Sequence, residues 1–222
     1  MKPRGSILLV KLLLWPLCLA PLGMLVLATF GLLGLELGAN PVEELLHTLG
    51  KWGLKFLLAT LAITPLRRWT GWSWLLSFRR LLGLFAFFYI VLHFGVYLVL
   101  DQTLDVRAVL EDVLERPYIT LGMAGLILML PLALTSTRGM MRRLGRRWKQ
   151  LHQLVYVVAI LGVWHFYWQV KLDTLEPTIY AGLLVVMLGA RLWFRRQKRN
   201  TVATTADSRS GAQARTLHQY PG

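Results

Sequence analysis

The chain has 222 residues, of which 55% are hydrophobic and only 16% charged, with a formal charge of +14. That balance excludes an ordinary soluble domain and points to a membrane protein. Nucleic-acid binding is the other common reading of a pI near 10.6, but it needs a soluble basic domain, and repeated membrane crossing leaves no chain to build one.

A spanning helix needs roughly 20 mostly apolar residues. Six segments qualify, at about 8–33, 44–65, 81–100, 117–135, 150–169 and 177–194. The first follows Lys2 and Arg4 and superficially resembles a secretory leader. Lys11 and Pro16 interrupt it and no small-residue cleavage site follows, so an uncleaved first helix is expected. Lys11 lies near its end, where a lysine can snorkel. Cys18, the one cysteine, excludes a disulfide framework, a thiolate metal centre and a C-x-x-C-H haem attachment, so any haem is non-covalent. Gly31 and Gly34 form only a G-x-x-G packing or turn signal; no dinucleotide fingerprint and no internal repeat stand out.

The second segment carries His47, Lys51 and Lys55 at helical spacing, a single stripe. Lys55 falls about 15 Å from the boundary at Pro65, hence mid-membrane. A buried ammonium there wants an anion such as a haem propionate, unless Lys51 and Lys55 simply snorkel outward. The third segment holds His93 in otherwise apolar sequence, and the fifth is bracketed by His152 and His165. An imidazole inside a bilayer is costly unless something uses it, and imidazole nitrogen is the commonest metal ligand. His165 sits among Trp164, Phe166, Tyr167 and Trp168, where an interfacial aromatic belt is the simpler reading. His47 and His218 are weaker candidates, one at the start of a helix and the other in a tail. That tail, 197–222, is polar and is expected to be disordered and cytoplasmic.

Charge sets the orientation. The loops after the second and fourth segments hold ten Lys/Arg and no acid, while the opposite loops hold ten of the eleven acids. The positive-inside rule then places both termini and the arginine-rich loops in the cytoplasm. With that topology, His93 lies roughly 18 Å and His165 roughly 22 Å from the cytoplasmic face at 1.5 Å per residue. The two are level, on parallel helices, and suited to clamp one iron from both faces of a porphyrin. His152 lies lower, at the cytoplasmic edge. Thirteen residues separate it from His165, which at 100° per residue puts the pair roughly 140° apart unless the helix is irregular. Arg79 and Arg80 occupy the level where a second histidine of the third helix would be needed, so spacing alone does not support a second bis-histidine haem. They join Arg142, Arg143, Arg146, Arg147 and Lys149 in a basic rim that suits a phosphate-bearing cofactor such as FMN, with Trp72, Trp74 or Trp148 available to stack.

Three blocks, 56–68, 79–94 and 135–171, resemble the MsrQ (YedZ) family, the haem-binding membrane subunits of periplasmic protein-methionine-sulfoxide reductase systems, within the ferric-reductase-like transmembrane group. The resemblance runs from about residue 7 to 199 and implies a multi-pass protein of the bacterial inner membrane that carries FMN and haem b, one copy or two. It further implies electrons arriving from a cytoplasmic flavin reductase or the quinol pool. They would leave to a periplasmic molybdopterin-containing reductase that repairs methionine sulfoxide. Residue by residue, His93 matches the family histidine of the third helix, and His152 and His165 those of the fifth. The membrane halves of NADPH oxidases, in the same group, have two histidines on the third helix where this chain has one.

The expected architecture is an all-α membrane protein, a six-transmembrane-helix bundle over 1–196 with both termini cytoplasmic. The expected function is electron transfer, with His93, His165 and His152 as haem ligands and Lys55, Arg79 and Arg80 as propionate or FMN-phosphate contacts. The sulfoxide chemistry itself would be done by the partner. Two alternatives stay open: a stand-alone ferric or quinone reductase, and a non-redox six-helix transporter, which would be colourless and would often show broken helices or repeat symmetry.

Overall fold

The computed structural model describes residues 4–170 and 174–218. Its secondary structure is helical, with no strand among the described residues. Helix α1 spans Arg4–Thr29, α2 Pro41–Thr70, α3 Arg79–Val96, α4 Val106–Glu115, α5 Pro117–Leu134, α6 Arg138–Leu144, α7 Arg146–Leu151, α8 Leu154–Gln169 and α9 Leu175–His218. The chain divides into two units, 1–184 and 185–222. The polar tail expected to lack structure continues α9 to His218, consistent with its alanines, glutamines and arginines, which favour helix; residues 219–222 lie outside the described residues.

Among the described residues, five helical stretches are long and apolar enough to cross a membrane: Leu8–Thr29, Ser73–Asp101, Pro117–Leu134, Arg146–Gln169 and Leu175–Phe194. The sixth expected span, 44–65, lies within α2 and is not among them. Lys51, Lys55, Arg67 and Arg68, with Glu43 and Glu44, dilute its apolar run. Its apolar side chains are spent on neighbours instead: Leu49, Leu54, Phe56, Leu57, Leu58 and Leu61 are all buried. By contrast α1 is apolar all round, with Leu8, Leu12, Leu13 and Leu17 exposed, as suits a helix that faces lipid.

The core of the first unit is two antiparallel pairs, α2 with α3 and α5 with α8, packed through α3 on α5 and α2 on α8. Asn40 caps α2 at its N-terminus by accepting from the Glu43 amide, and Gly71 ends it in the left-handed region at φ 73°. Helix α3 finishes in a π-helical turn, Tyr97–Asp101. The short helix α4 follows, N-capped by Asp105, whose carboxylate accepts from the amides of Arg107 and Ala108. The fifth expected span is interrupted. Residues 152–153 form a turn between α7 and α8 in which both keep right-handed helical angles.

Tyr89, fully buried on α3, fixes α1 to this core. Its hydroxyl donates to the Cys18 carbonyl at 2.8 Å and accepts from the Leu22 amide at 3.2 Å. Those two backbone groups would otherwise pair with each other, and Pro21 lies between them. The hydroxyl thus fills a gap in the ladder where proline disturbs the helix. Tyr89→Phe removes both of these bonds and is expected to destabilise the protein by about 1–3 kcal/mol, read as a lowered thermal midpoint in detergent. An unchanged midpoint would mean that α1 is held by packing such as Trp15 on Phe85 rather than by this hydroxyl.

Candidate functional site: two facing histidines in a central cavity

The two helix pairs enclose a cavity of about 400 Å³. Its floor is apolar and includes Leu57, Met129 and Val158. Each of these lies seven residues from a cavity residue higher on the same helix, hence roughly 10 Å deeper. Its mouth is polar, lined by His47, Lys51, Asp101, Arg116 and Gln169 among others. These come from the ends of α2, α5, α8 and the π turn that adjoin the acidic loops, so the cavity opens at the acidic end of the bundle.

His93 of α3 and His165 of α8 project into this cavity with ring centroids 6.1 Å apart and planes at 79°. Each ring is anchored from behind by the other helix of its pair. His93 Nδ1 lies 2.9 Å from the Leu46 carbonyl of α2, and His165 Nδ1 lies 2.6 Å from the Tyr118 carbonyl of α5. A carbonyl can only accept, so both Nδ1 atoms carry the proton and donate it. Each Nε2 is therefore left with its lone pair, the tautomer a metal ligand needs.

Glycines make room for the rings. A Cβ on Gly50 would stand 3.2 Å from His93 Nδ1, and one on Gly122 would stand 3.0 Å from His165 Nδ1 and Cε1. Both glycines lie one turn below the anchoring carbonyl, so carbonyl and gap form one unit on each helix. The two units are copies of one plan. In both pairs 47 residues separate the carbonyl from its histidine, and a shift of 72 residues carries 46, 50 and 93 onto 118, 122 and 165. Leu49-Gly50, Gly53-Leu54 and His93-Phe94 recur there as Leu121-Gly122, Gly125-Leu126 and His165-Phe166. No repeat was legible in the sequence read alone; the geometry shows which few positions to compare. Leu46, Gly50, Tyr118 and Gly122 are the functional positions that sequence reasoning missed, and the shared L-G-x-x-G-L was the signal that pointed to them.

The arrangement fits an axial pair for haem. Two imidazoles bound through nitrogen at about 2.0–2.1 Å on opposite sides of one metal have centroids about 6 Å apart, the separation observed. Among the described residues no group of three or more His, Cys, Asp or Glu forms a metal site. An iron held here must bring its equatorial donors, as a porphyrin does. The cavity is enclosed by apolar side chains, which suits a macrocycle.

The other expected site residues lie elsewhere. His152 does not line the cavity. It caps α7, roughly 20 Å along the helix axis from His165, with its ring stacked on Trp148 at 4.0 Å and Nε2 3.1 Å from Thr135 Oγ1. Trp148 Nε1 donates to the Thr135 carbonyl at 3.0 Å, so these three tie α7 to the end of α5. Arg79 is in electrostatic reach of His152 and, with Arg80, starts α3 at the arginine-rich end. Lys55 also misses the cavity; its Nζ lies 4.7 Å from the Trp52 ring centroid. The stripe read from the sequence therefore splits, with His47 and Lys51 at the mouth and Lys55 facing away. Trp72 and Trp74, considered for stacking a flavin, stack on each other at 5.7 Å.

Residues 49–163 match the model of the ferric reductase like transmembrane component. The chain is 47% identical to a protein-methionine-sulfoxide reductase heme-binding subunit MsrQ of Herminiimonas arsenicoxydans, over 91% of this chain and 94% of the relative. It is 52% identical to the protein of the same name from Xanthomonas euvesicatoria pv. vesicatoria, over 75% and 77%. A third such subunit, from Ralstonia nicotianae, is 46% identical over 87% and 89%. No solved structure matches the chain.

Proposed function

Because this chain belongs to the ferric-reductase-like transmembrane family, and within it to the MsrQ heme-binding subunits, we propose that it carries haem b between His93 and His165 and passes electrons to a methionine-sulfoxide reductase. It is a multi-pass protein of the bacterial inner membrane. The observation that carries the proposal is the facing pair of imidazoles, each fixed by a backbone carbonyl in the tautomer that ligates.

When bound, haem supplies a one-electron iron couple, and the protein sets its position and potential. His93 and His165 would hold its iron through their Nε2 atoms. The Leu46 and Tyr118 carbonyls orient the rings and raise their basicity, which favours the ferric state and lowers the potential. Leu57, Met129 and Val158 keep water from the deep side. With the arginine-rich loops taken as cytoplasmic, the cavity opens toward the periplasm, where the partner would be a molybdopterin-containing reductase that repairs oxidised proteins. Electrons would enter from the opposite end, from a flavin reductase or the quinol pool. There Arg79, Arg80, His152 and Trp148 are the residues proposed to serve FMN or a lower cofactor. The tail would then also be cytoplasmic.

The test is an absorption spectrum of the purified protein from haem-replete cells, oxidised and dithionite-reduced. A Soret band with split α/β bands on reduction is the expected result. A colourless protein would overturn the proposal and favour a non-redox transporter.

A further inference from the structure

The cavity is polar at one end only. Lys51 and Arg116 are the two cationic side chains of its lining, and both are at the mouth. Each is already steadied by an acid on a neighbouring element. Lys51 Nζ lies 2.5 Å from Glu176 Oε2 of α9 and also over the Phe166 ring. Arg116 Nε lies 3.1 Å from Asp112 Oδ1 of α4. Asp112 is itself buried, and it accepts from the Tyr97 hydroxyl at 2.9 Å and Gln102 Nε2 at 3.0 Å. Tyr97 is one turn beyond His93, and Arg116 stands two residues before the Tyr118 carbonyl that anchors His165. Asp112 is thus a positioning residue that holds the lip over both ligands.

A b-type haem carries two carboxylates on one edge. Turned inward, they would meet Leu57, Met129 and Val158, an apolar floor where an unpaired carboxylate costs several kcal/mol or more. We infer that the cofactor sits with both carboxylates at the acidic-end mouth, received by Lys51 and Arg116, so that its carboxylate edge is the edge nearest the partner. A guanidinium has five donors and an ammonium three. Asp112 and Glu176 therefore hold these side chains in place without using up their hydrogen bonds. The remaining acids of the mouth, Asp101 and Glu43, discourage any carboxylate that does not reach one of the two cations.

This orientation rests on the haem reading of the site. It is tested on the full-length apoprotein in detergent, titrated with haemin and with haemin dimethyl ester, which keeps the macrocycle and iron but has no charged carboxylates. Wild type is expected to bind the free acid at least about tenfold more tightly than the ester, the scale of one charge-assisted hydrogen bond. In Lys51→Gln/Arg116→Gln that preference should fall to about unity while low-spin ligation of the ester persists. Arg107→Gln, which removes an exposed cation paired with Glu111, should keep the wild-type preference. Equal affinity of wild type for acid and ester overturns the orientation, whatever the variants do. So does a preference that survives the double substitution. Binding of neither porphyrin by wild type would instead remove the haem reading itself.

Discussion

His93→Ala and His165→Ala are each expected to abolish the same low-spin haem signal. The two rings stand 6.1 Å apart and line one cavity, so on the proposed reading each would supply one bond to a shared iron. Losing either leaves at best a five-coordinate, high-spin centre. The fall in haem retention should exceed the 10–100-fold typical of changes to groups that merely orient a ligand. A pyridine haemochrome count and the reduced spectrum measure it, and added imidazole should restore part of the low-spin signal in both variants. His152→Ala, which alters the contact with Trp148 and Thr135 roughly 20 Å away along the helix, should retain it. Full low-spin haem in either cavity variant would show that the two rings do not share an iron. Loss of the same signal in His152→Ala would bring the cytoplasmic edge back into the ligand set.

The second large effect comes from glycine. Gly122→Ala places a Cβ 3.0 Å from His165 Nδ1 and Cε1, closer than ordinary van der Waals contact. The ring cannot retreat without lengthening its bond to the Tyr118 carbonyl, one turn away on the same helix. Haem affinity should drop about 10–100-fold, as when a ligand's orienting partner is lost. Gly50→Ala should act in the same direction but less, because its Cβ meets His93 at 3.2 Å. Gly95→Ala is the control. It lies two residues from His93, its Cβ meets nothing within 4 Å, and replacing glycine inside a helix favours stability by up to about 1 kcal/mol. If Gly122→Ala titrates with haem like Gly95→Ala, the carbonyl–glycine unit is not what orients the ligand.

Much of this was legible in the sequence because membranes impose simple rules. Apolar runs marked the long helices, but α4, α6 and the continuation of α9 past 194 had no apolar run to mark them, and α2 carries too many charges to read as a span by itself. It is instead covered by α3 and α8, with its apolar side chains buried. The level pairing of His93 and His165 followed from 1.5 Å per residue and the direction of the chain. His47 and Lys51 line the cavity while Lys55 lies over Trp52, because at 100° per residue positions i, i+4 and i+8 drift about 40° per step around the helix. His152 stood apart, as the spacing implied, because thirteen residues put it roughly 20 Å along the axis and roughly 140° around it from His165.

The wording of three blocks carried the resemblance to the family; composition, periodicity and charge by themselves determined a helical membrane protein and the level of its histidines. Those properties depend on each helix alone and on its direction across the bilayer. Only the tertiary structure decided that two of the histidines face each other, that Leu46 and Tyr118 fix their tautomers, and that Gly50 and Gly122 leave them space. These are contacts between helices 47 residues apart in sequence, and they depend on how each helix is rotated about its axis. Hydropathy does not record that rotation. Packing sets it.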